Sequence, residues 1–141
     1  MKKYTIKNLE DTKKLAQKIT NNLNGGEVIA LIGNLGAGKT TFTQFIAKEL
    51  GVKDIVNSPT FNIMKIYDIK KSNIKQLIHI DAYRLNSQEE LEGLGVNEYF
   101  ESKNTITIIE WADKVKNILP KNTTIINIKL NKKKERLFEI N

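Results

Sequence analysis

The sequence predicts an α/β fold, a three-layer α/β/α sandwich on a mixed sheet, and three observations predict it. Two continuous apolar runs, "VIALI" (28–32) and "TITIIE" (105–110), are too short for helices and read as strands buried on both faces. Strands alternate with segments of helical periodicity early in the chain and cluster as hairpins late, which calls for a sheet with parallel and antiparallel parts. The 141 residues, 40% of them hydrophobic, fit one compact domain with one core.

Each element has a local reason. "YTIKN" (4–8) reads as the first strand, and Asn8 caps a helix in which Leu15, Ala16, Ile19 and Leu23 recur at helical spacing. "NGGE" is a turn into the strand 28–32. After a glycine-rich loop, Phe42, Phe45, Ile46 and Leu50 line one helical face until Gly51 stops the helix. "SPTFNIMKIYDI" (58–69) and "KQLIHIDAYRL" (75–85) read as two strands joined by a lysine-rich turn around Ser72–Asn73. "SQEE" carries a Ser-x-x-Glu capping box at Ser87 and Glu90, opening a short helix that Gly93 and Gly95 interrupt. The strand 105–110 flows into "WADKVKNIL". The tail, "TTIINIKL", "NKKKE" and "RLFEI", reads as a hairpin with its charges in the turn. No internal repeat, linker or low-complexity tract is visible.

Composition narrows the function classes. The chain has no cysteine, which excludes a disulfide framework and a thiolate metal site. Its start lacks the apolar stretch of a secretory signal, and no run approaches the length of a membrane span, so a soluble cytoplasmic protein is expected. The net charge of +7 raises the question of nucleic acid. Lys, Ile and Asn are all abundant, and Arg84 and Arg136 are the only arginines. Base-edge and planar phosphate recognition favour arginine, so the excess reads as a solvated lysine surface.

"GNLGAGKT" (33–40) satisfies Gly-x-x-x-x-Gly-Lys-Thr through Gly33, Gly38, Lys39 and Thr40, with a strand before it and a helix after it. Glycines let successive N–H groups turn inward around an anion, and the helix N-terminus adds free donors. Lys39 would reach the β- and γ-phosphates, and the Thr40 hydroxyl would bind Mg²⁺. This is a nucleotide-binding loop.

A hydrolase also needs carboxylates at the ends of neighbouring buried strands, for the Mg²⁺ shell and the attacking water. "LIHID" ends at Asp81 and "TIIE" at Glu110, at the carboxyl edge where open α/β sheets bind ligands. Which of the two meets Mg²⁺ and which polarises water is open at this level. Thr60, in "SPTF", is the candidate for a switch threonine capping Mg²⁺ and γ-phosphate; a plain proline turn fits the same residues. His79 alternates with Ile78 and Ile80 and reads as a packed core histidine rather than a base. Trp111 follows Glu110 directly and belongs near the site, as core or as a nucleotide or partner contact. Arg84 either pairs with Asp81 or faces a partner.

Among reaction classes, a small-molecule kinase needs an arginine-rich lid that two arginines can hardly build. A GTPase needs Asn-Lys-x-Asp, and "NKKK" at 131 lacks the aspartate. An adenine-nucleotide hydrolase or a non-catalytic nucleotide binder remains.

Four stretches, "GNLGAGKTTFTQ", "SPTF", "HIDAYRL" and "IIEWADK", in this order and spacing, resemble the TsaE (YjeE) family, and the similarity covers nearly the whole chain. These are small bacterial P-loop ATPases required to form threonylcarbamoyladenosine at position 37 of tRNAs reading ANN codons. The resemblance implies the P-loop NTPase form of the sandwich, with ATP as substrate and Mg²⁺ as cofactor. It implies that Gly33, Asn34, Leu35, Gly36, Ala37, Gly38, Lys39, Thr40 and Thr41 bind ATP and that Thr40 ligates Mg²⁺. Asp81 and Glu110 would supply the Mg²⁺-linked and water-activating carboxylates, forming with Lys39 the catalytic set. Thr60 would belong to the switch-like segment, Trp111 would lie beside the site, and Thr12 would sit near the nucleotide base. The implied partners are TsaB and TsaD, the latter a metal-dependent transferase. Contact with tRNA is implied only through that complex, with no membrane. The ATPase is implied to be weak alone and to reset or regulate the complex. One departure stands out: Asn34 occupies a place where the family usually has aspartate, removing a charge beside the phosphates.

Overall fold

Side chains alternate along the two apolar runs, so each run needs cover on both sides, and the fold supplies it. The computed structural model describes every residue except Ser72, and Lys71 through its backbone alone. In chain order the elements are β1 (Lys2–Ile6), α1 (Leu9–Thr20), β2 (Val28–Gly33), α2 (Lys39–Glu49), β3 (Met64–Lys71) and β4 (Ile74–Asp81). Then come α3 (Gln88–Glu92), α4 (Val96–Glu101), β5 (Thr105–Glu110), a 3₁₀ segment (Ala112–Ile118), β6 (Thr124–Leu130) and β7 (Arg136–Ile140).

The strands form one mixed sheet in the order β1-β7-β6-β2-β5-β4-β3. β6, β2, β5 and β4 run parallel in the middle, while β3, β7 and β1 join antiparallel. The carboxyl ends of β2, β5 and β4 therefore share one edge, which carries Gly33, Glu110 and Asp81.

The sheet divides the interior into two apolar clusters, where one core was expected, because a doubly covered sheet separates its own faces. On one face Ile29, Leu31, Ile106 and Ile108 pack with Leu15 and Ala16 of α1 and with Phe42 and Ile46 of α2. Phe42 is fully buried and meets Phe138 edge to face at 5.1 Å, a burial that contributes roughly 1.5–3 kcal/mol. On the other face Val28, Ala30, Ile78, Ile80 and Ile109 pack with Leu91, Val96, Ala112 and Val115. Alternation then assigns Leu77, His79 and Asp81, with Ile106, Ile108 and Glu110, to the α2 face.

The expected cap of α1 is present: Asn8 Oδ1 accepts from the Asp11 amide at 2.9 Å. Gly51 follows α2 with φ 88°, a conformation that suits glycine. Other expectations change: β1 spans Lys2–Ile6 rather than 4–8, and α1 ends at Thr20, short of Leu23. The strand expected from Ser58 begins at Met64, because the Ile63 amide folds back onto Pro59 O at 2.7 Å and residues 60–62 turn. The capping box does not close on Ser87, whose side chain makes no cap; Glu90 Oε1 accepts instead from the Asn86 amide at 3.2 Å. β3 and β4 do form the expected antiparallel pair, with Ser72 of their turn outside the described residues.

Candidate functional site

β2 delivers the chain to Gly33, where an added Cβ would lie 2.7 Å from Ile128 O, so the loop can start this close to β6 only with glycine. Gly38, at φ 107°, is the N-cap of α2 and turns the backbone into the helix. Lys39, at 5% exposure, folds back over the loop: Nζ donates to Gly33 O at 2.6 Å and Asn34 O at 2.9 Å. The same ammonium stands 4.1 Å from the centre of the Trp111 ring. Burial pulls its pKa below the usual lysine value, against the opposing pull of Glu110, Asp81 and Asp113.

Glu110 lies in register with Asp81, its neighbour across the parallel β4–β5 ladder. Glu110 Oε1 accepts from Thr40 Oγ1 at 2.6 Å, and Oε2 is 2.6 Å from His79 Nε2. Asp81 takes a different pair: Oδ2 accepts from Ser58 Oγ, and Oδ1 from the Tyr83 amide at 2.9 Å. Ser58 is in turn 3.1 Å from Thr60 Oγ1, so the turn before β3 hangs on the end of β4. Trp111 has φ 57°, uncommon for a bulky residue, and its ring meets Tyr83 at 4.9 Å between centroids.

These residues surround a cavity of about 410 Å³ lined by Leu35, Gly36, Gly38, Lys39, Thr40, Thr41, Ser58, Thr60, Asp81, Tyr83, Glu110, Trp111 and Arg136. The expected Gly33, Asn34 and Ala37 line, with Leu35, a second cavity of about 480 Å³ beside Asn127–Leu130 of β6. Thr12 lines neither: it is buried in α1, and its hydroxyl donates to Asn8 O at 3.3 Å.

Four residues of the site escaped the sequence reading. Ser58 and Tyr83 each stand two positions from a named residue, Thr60 and Asp81, a proximity that could have flagged them. His79 is a buried core residue as expected, but it also holds the Glu110 carboxylate. Arg136 gave no signal: its Nε donates to Ala37 O at 2.9 Å, and its side chain packs against Gly38. Arg84 does not turn to Asp81; its guanidinium lies 4.3 Å from the centre of the exposed Phe61 ring.

The arrangement is chemically specific. A glycine loop opening a helix, beside two carboxylates and a hydroxyl, offers N–H groups and ammonium for an anion and oxygens for a hard cation. The family model described as "Threonylcarbamoyl adenosine biosynthesis protein TsaE" matches residues 6–138, from the end of β1 into β7. The chain belongs to the TsaE family. TsaE proteins function in the biosynthesis of threonylcarbamoyladenosine in tRNA. The TsaE protein of Bacillus subtilis is 41% identical to this chain over 90% of its length and 77% of the relative's. The TsaE of Aquifex aeolicus is 38% identical over 98% and 96% of the two chains. The crystal structure of Bacillus subtilis YdiB superimposes with a TM-score of 0.78 at 35% identity, covering 97% of this chain and 82% of that one. No helix among the described residues is long and apolar enough to cross a membrane.

Proposed function

We propose that this TsaE-family chain binds Mg-ATP in the cavity between the glycine loop and the Asp81–Glu110 edge, and hydrolyses it in the service of TsaB and TsaD. The observation that carries this reading is the 2.6 Å contact of Thr40 with Glu110, which joins the loop helix to a strand-end carboxylate inside that cavity.

The donor set suits the ion. Thr40, Glu110 and Asp81 present only oxygen, and no group of three or more His, Cys, Asp or Glu side chains able to hold a metal occurs among the described residues. Mg²⁺ in nucleotide sites is held by one or two carboxylates, substrate phosphates and water, not by an all-protein cage. When bound, Mg²⁺ would neutralise charge on the phosphate oxygens.

In this reading Lys39 exchanges the carbonyls of Gly33 and Asn34 for phosphate oxygens, and the amides of Gly36 to Thr41 wrap the anion. Arg136, the one arginine of the cavity, adds positive charge beside Gly38. Glu110, tied to Thr40, supports the Mg²⁺ shell and orients the attacking water or takes its proton, and Asp81 shares the shell while restraining Ser58 and Thr60. The Trp111 and Tyr83 rings, in contact at a tilt of 44°, wall the cavity against water. The chain acts in the cytoplasm, and tRNA meets it only through the partner complex.

Calorimetry with ATP, and turnover measured alone and with the TsaB–TsaD pair, test the proposal. Wild type should bind ATP, and turnover should rise with the partners. Lys39→Ala should lose a charge-assisted contact of ~1.5–3 kcal/mol, a drop in affinity of about 10- to 150-fold. Unchanged affinity in that variant would remove the loop from nucleotide binding.

A further inference from the structure

We infer that His79 is a positioning residue for Glu110: its ring holds Oε2 so that Oε1 is turned to Thr40. The inference rests on the Mg-ATP reading above and adds to it a residue that touches neither nucleotide nor ion.

Glu110 is 2% exposed and His79 is wholly buried, so the carboxylate cannot take its second hydrogen bond from bulk water. The two meet diagonally on the α2 face, since His79 registers with Ile108 and Asp81 with Glu110 across the parallel ladder. An ionised carboxylate only accepts, so His79 donates through Nε2–H. That tautomer leaves Nδ1 as a bare acceptor, and Nδ1 is indeed without a hydrogen-bond partner among the described residues. The alternative, a buried N–H with no acceptor, is the rarer and harsher defect.

Packing alone does not account for this histidine. Its neighbours in β4, Leu77, Ile78 and Ile80, are fully buried hydrocarbons, and a leucine at 79 would leave no orphaned nitrogen. A half-satisfied buried ring disfavours stability and calls for another explanation. Orientation of the carboxylate supplies one. Glutamate has three rotatable side-chain bonds, and with one oxygen pinned by Nε2 the other keeps its 2.6 Å approach to Thr40. Side chains that orient ligand carboxylates in this way typically matter about 10- to 100-fold to metal affinity or activity.

Two variants separate orientation from packing. His79→Leu keeps bulk and removes the donor; His79→Gln restores an N–H at the distance of Nε2. In calorimetry, His79→Leu should bind ATP in EDTA as wild type does, yet need ~10-fold or more Mg²⁺ for half-saturation in its presence. Its kcat should fall ~10- to 100-fold with KM little changed, and His79→Gln should recover most of both effects. Wild-type Mg²⁺ dependence in a folded His79→Leu, or no recovery in a folded His79→Gln, would overturn the inference. Should neither variant fold, the wild type still answers, because His79 is the only histidine in the chain. Ring ¹⁵N spectra should show a protonated Nε2 and bare Nδ1, both moving when Mg-ATP is added. The opposite tautomer, or signals unmoved by saturating Mg-ATP, would refute the role. Failure of the wild type to bind ATP either in EDTA or with Mg²⁺ would refute instead the nucleotide reading beneath it.

Discussion

Thr40 Oγ1 donates to Glu110 Oε1 at 2.6 Å, joining the first turn of α2 to the last residue of β5 across 70 positions of sequence. With His79 behind Glu110 and Lys39 beside Thr40, a ligand that draws on any one of these groups acts on the others. The consequences can be measured at separate residues.

The first consequence concerns Trp111, the only tryptophan. Lys39 Nζ rests over its ring, and a bound triphosphate would draw that ammonium away. Trp111 fluorescence should therefore shift on adding ATP, and Lys39→Met should change the signal of the free protein. A silent signal under saturating ATP, with binding seen by calorimetry, would show that Lys39 stays where it is.

Glu110→Gln keeps the shape of the side chain and removes its charge. ATP binding without Mg²⁺ should persist within a few-fold, while turnover with the partner complex should fall roughly 10²–10⁴-fold if Glu110 is the general base. Should it mainly anchor Mg²⁺, the Mg²⁺ dependence should shift with affinity. Wild-type turnover in the variant would leave Asp81 as the sole acidic candidate.

Ser58→Ala tests the tie between Asp81 and the turn before β3. The variant strips a donor from an aspartate that is 5% exposed, which should cost about 1–3 kcal/mol of stability. Amide exchange should accelerate at Thr60–Ile63 and stay slow in β5. Equal exchange in both proteins would mean that Ser58 does not restrain the segment.

Lys39 makes a prediction about pH. Burial lowers its pKa below the ordinary 10.5, so between the lowered value and 10.5 the unfolded chain holds more protons there than the folded one. Stability contributed at this residue therefore rises with pH in that window. Denaturant titrations of wild type and Lys39→Met should diverge in favour of wild type as pH climbs through it, and run parallel below. A constant difference would show that desolvation does not dominate at Lys39.

Features set by near neighbours in the chain are legible in the sequence. β2 and β5 are legible because continuous apolar runs have nowhere to go but a doubly covered sheet, and α1 because Asn8 and the spacing of Leu15 and Ala16 act within a few residues. The glycine loop and the strand-end positions of Asp81 and Glu110 were legible for the same reason, and four ordered motifs carried the family. Alternation even assigns His79 to the face of Asp81. Which side chains meet follows from the folded arrangement alone. Strand order and register brought His79 to Glu110, and the fold of the turn after Pro59 brought Ser58 to Asp81 and delayed β3 to Met64. The return of β7 laid Arg136 on Ala37, and the packing of α1 kept Thr12 out of both cavities beside the loop. Periodicity states the face on which a residue lies, because that depends on its neighbours in the chain. The partner across that face depends on register and side-chain direction, set by contacts between residues tens of positions apart.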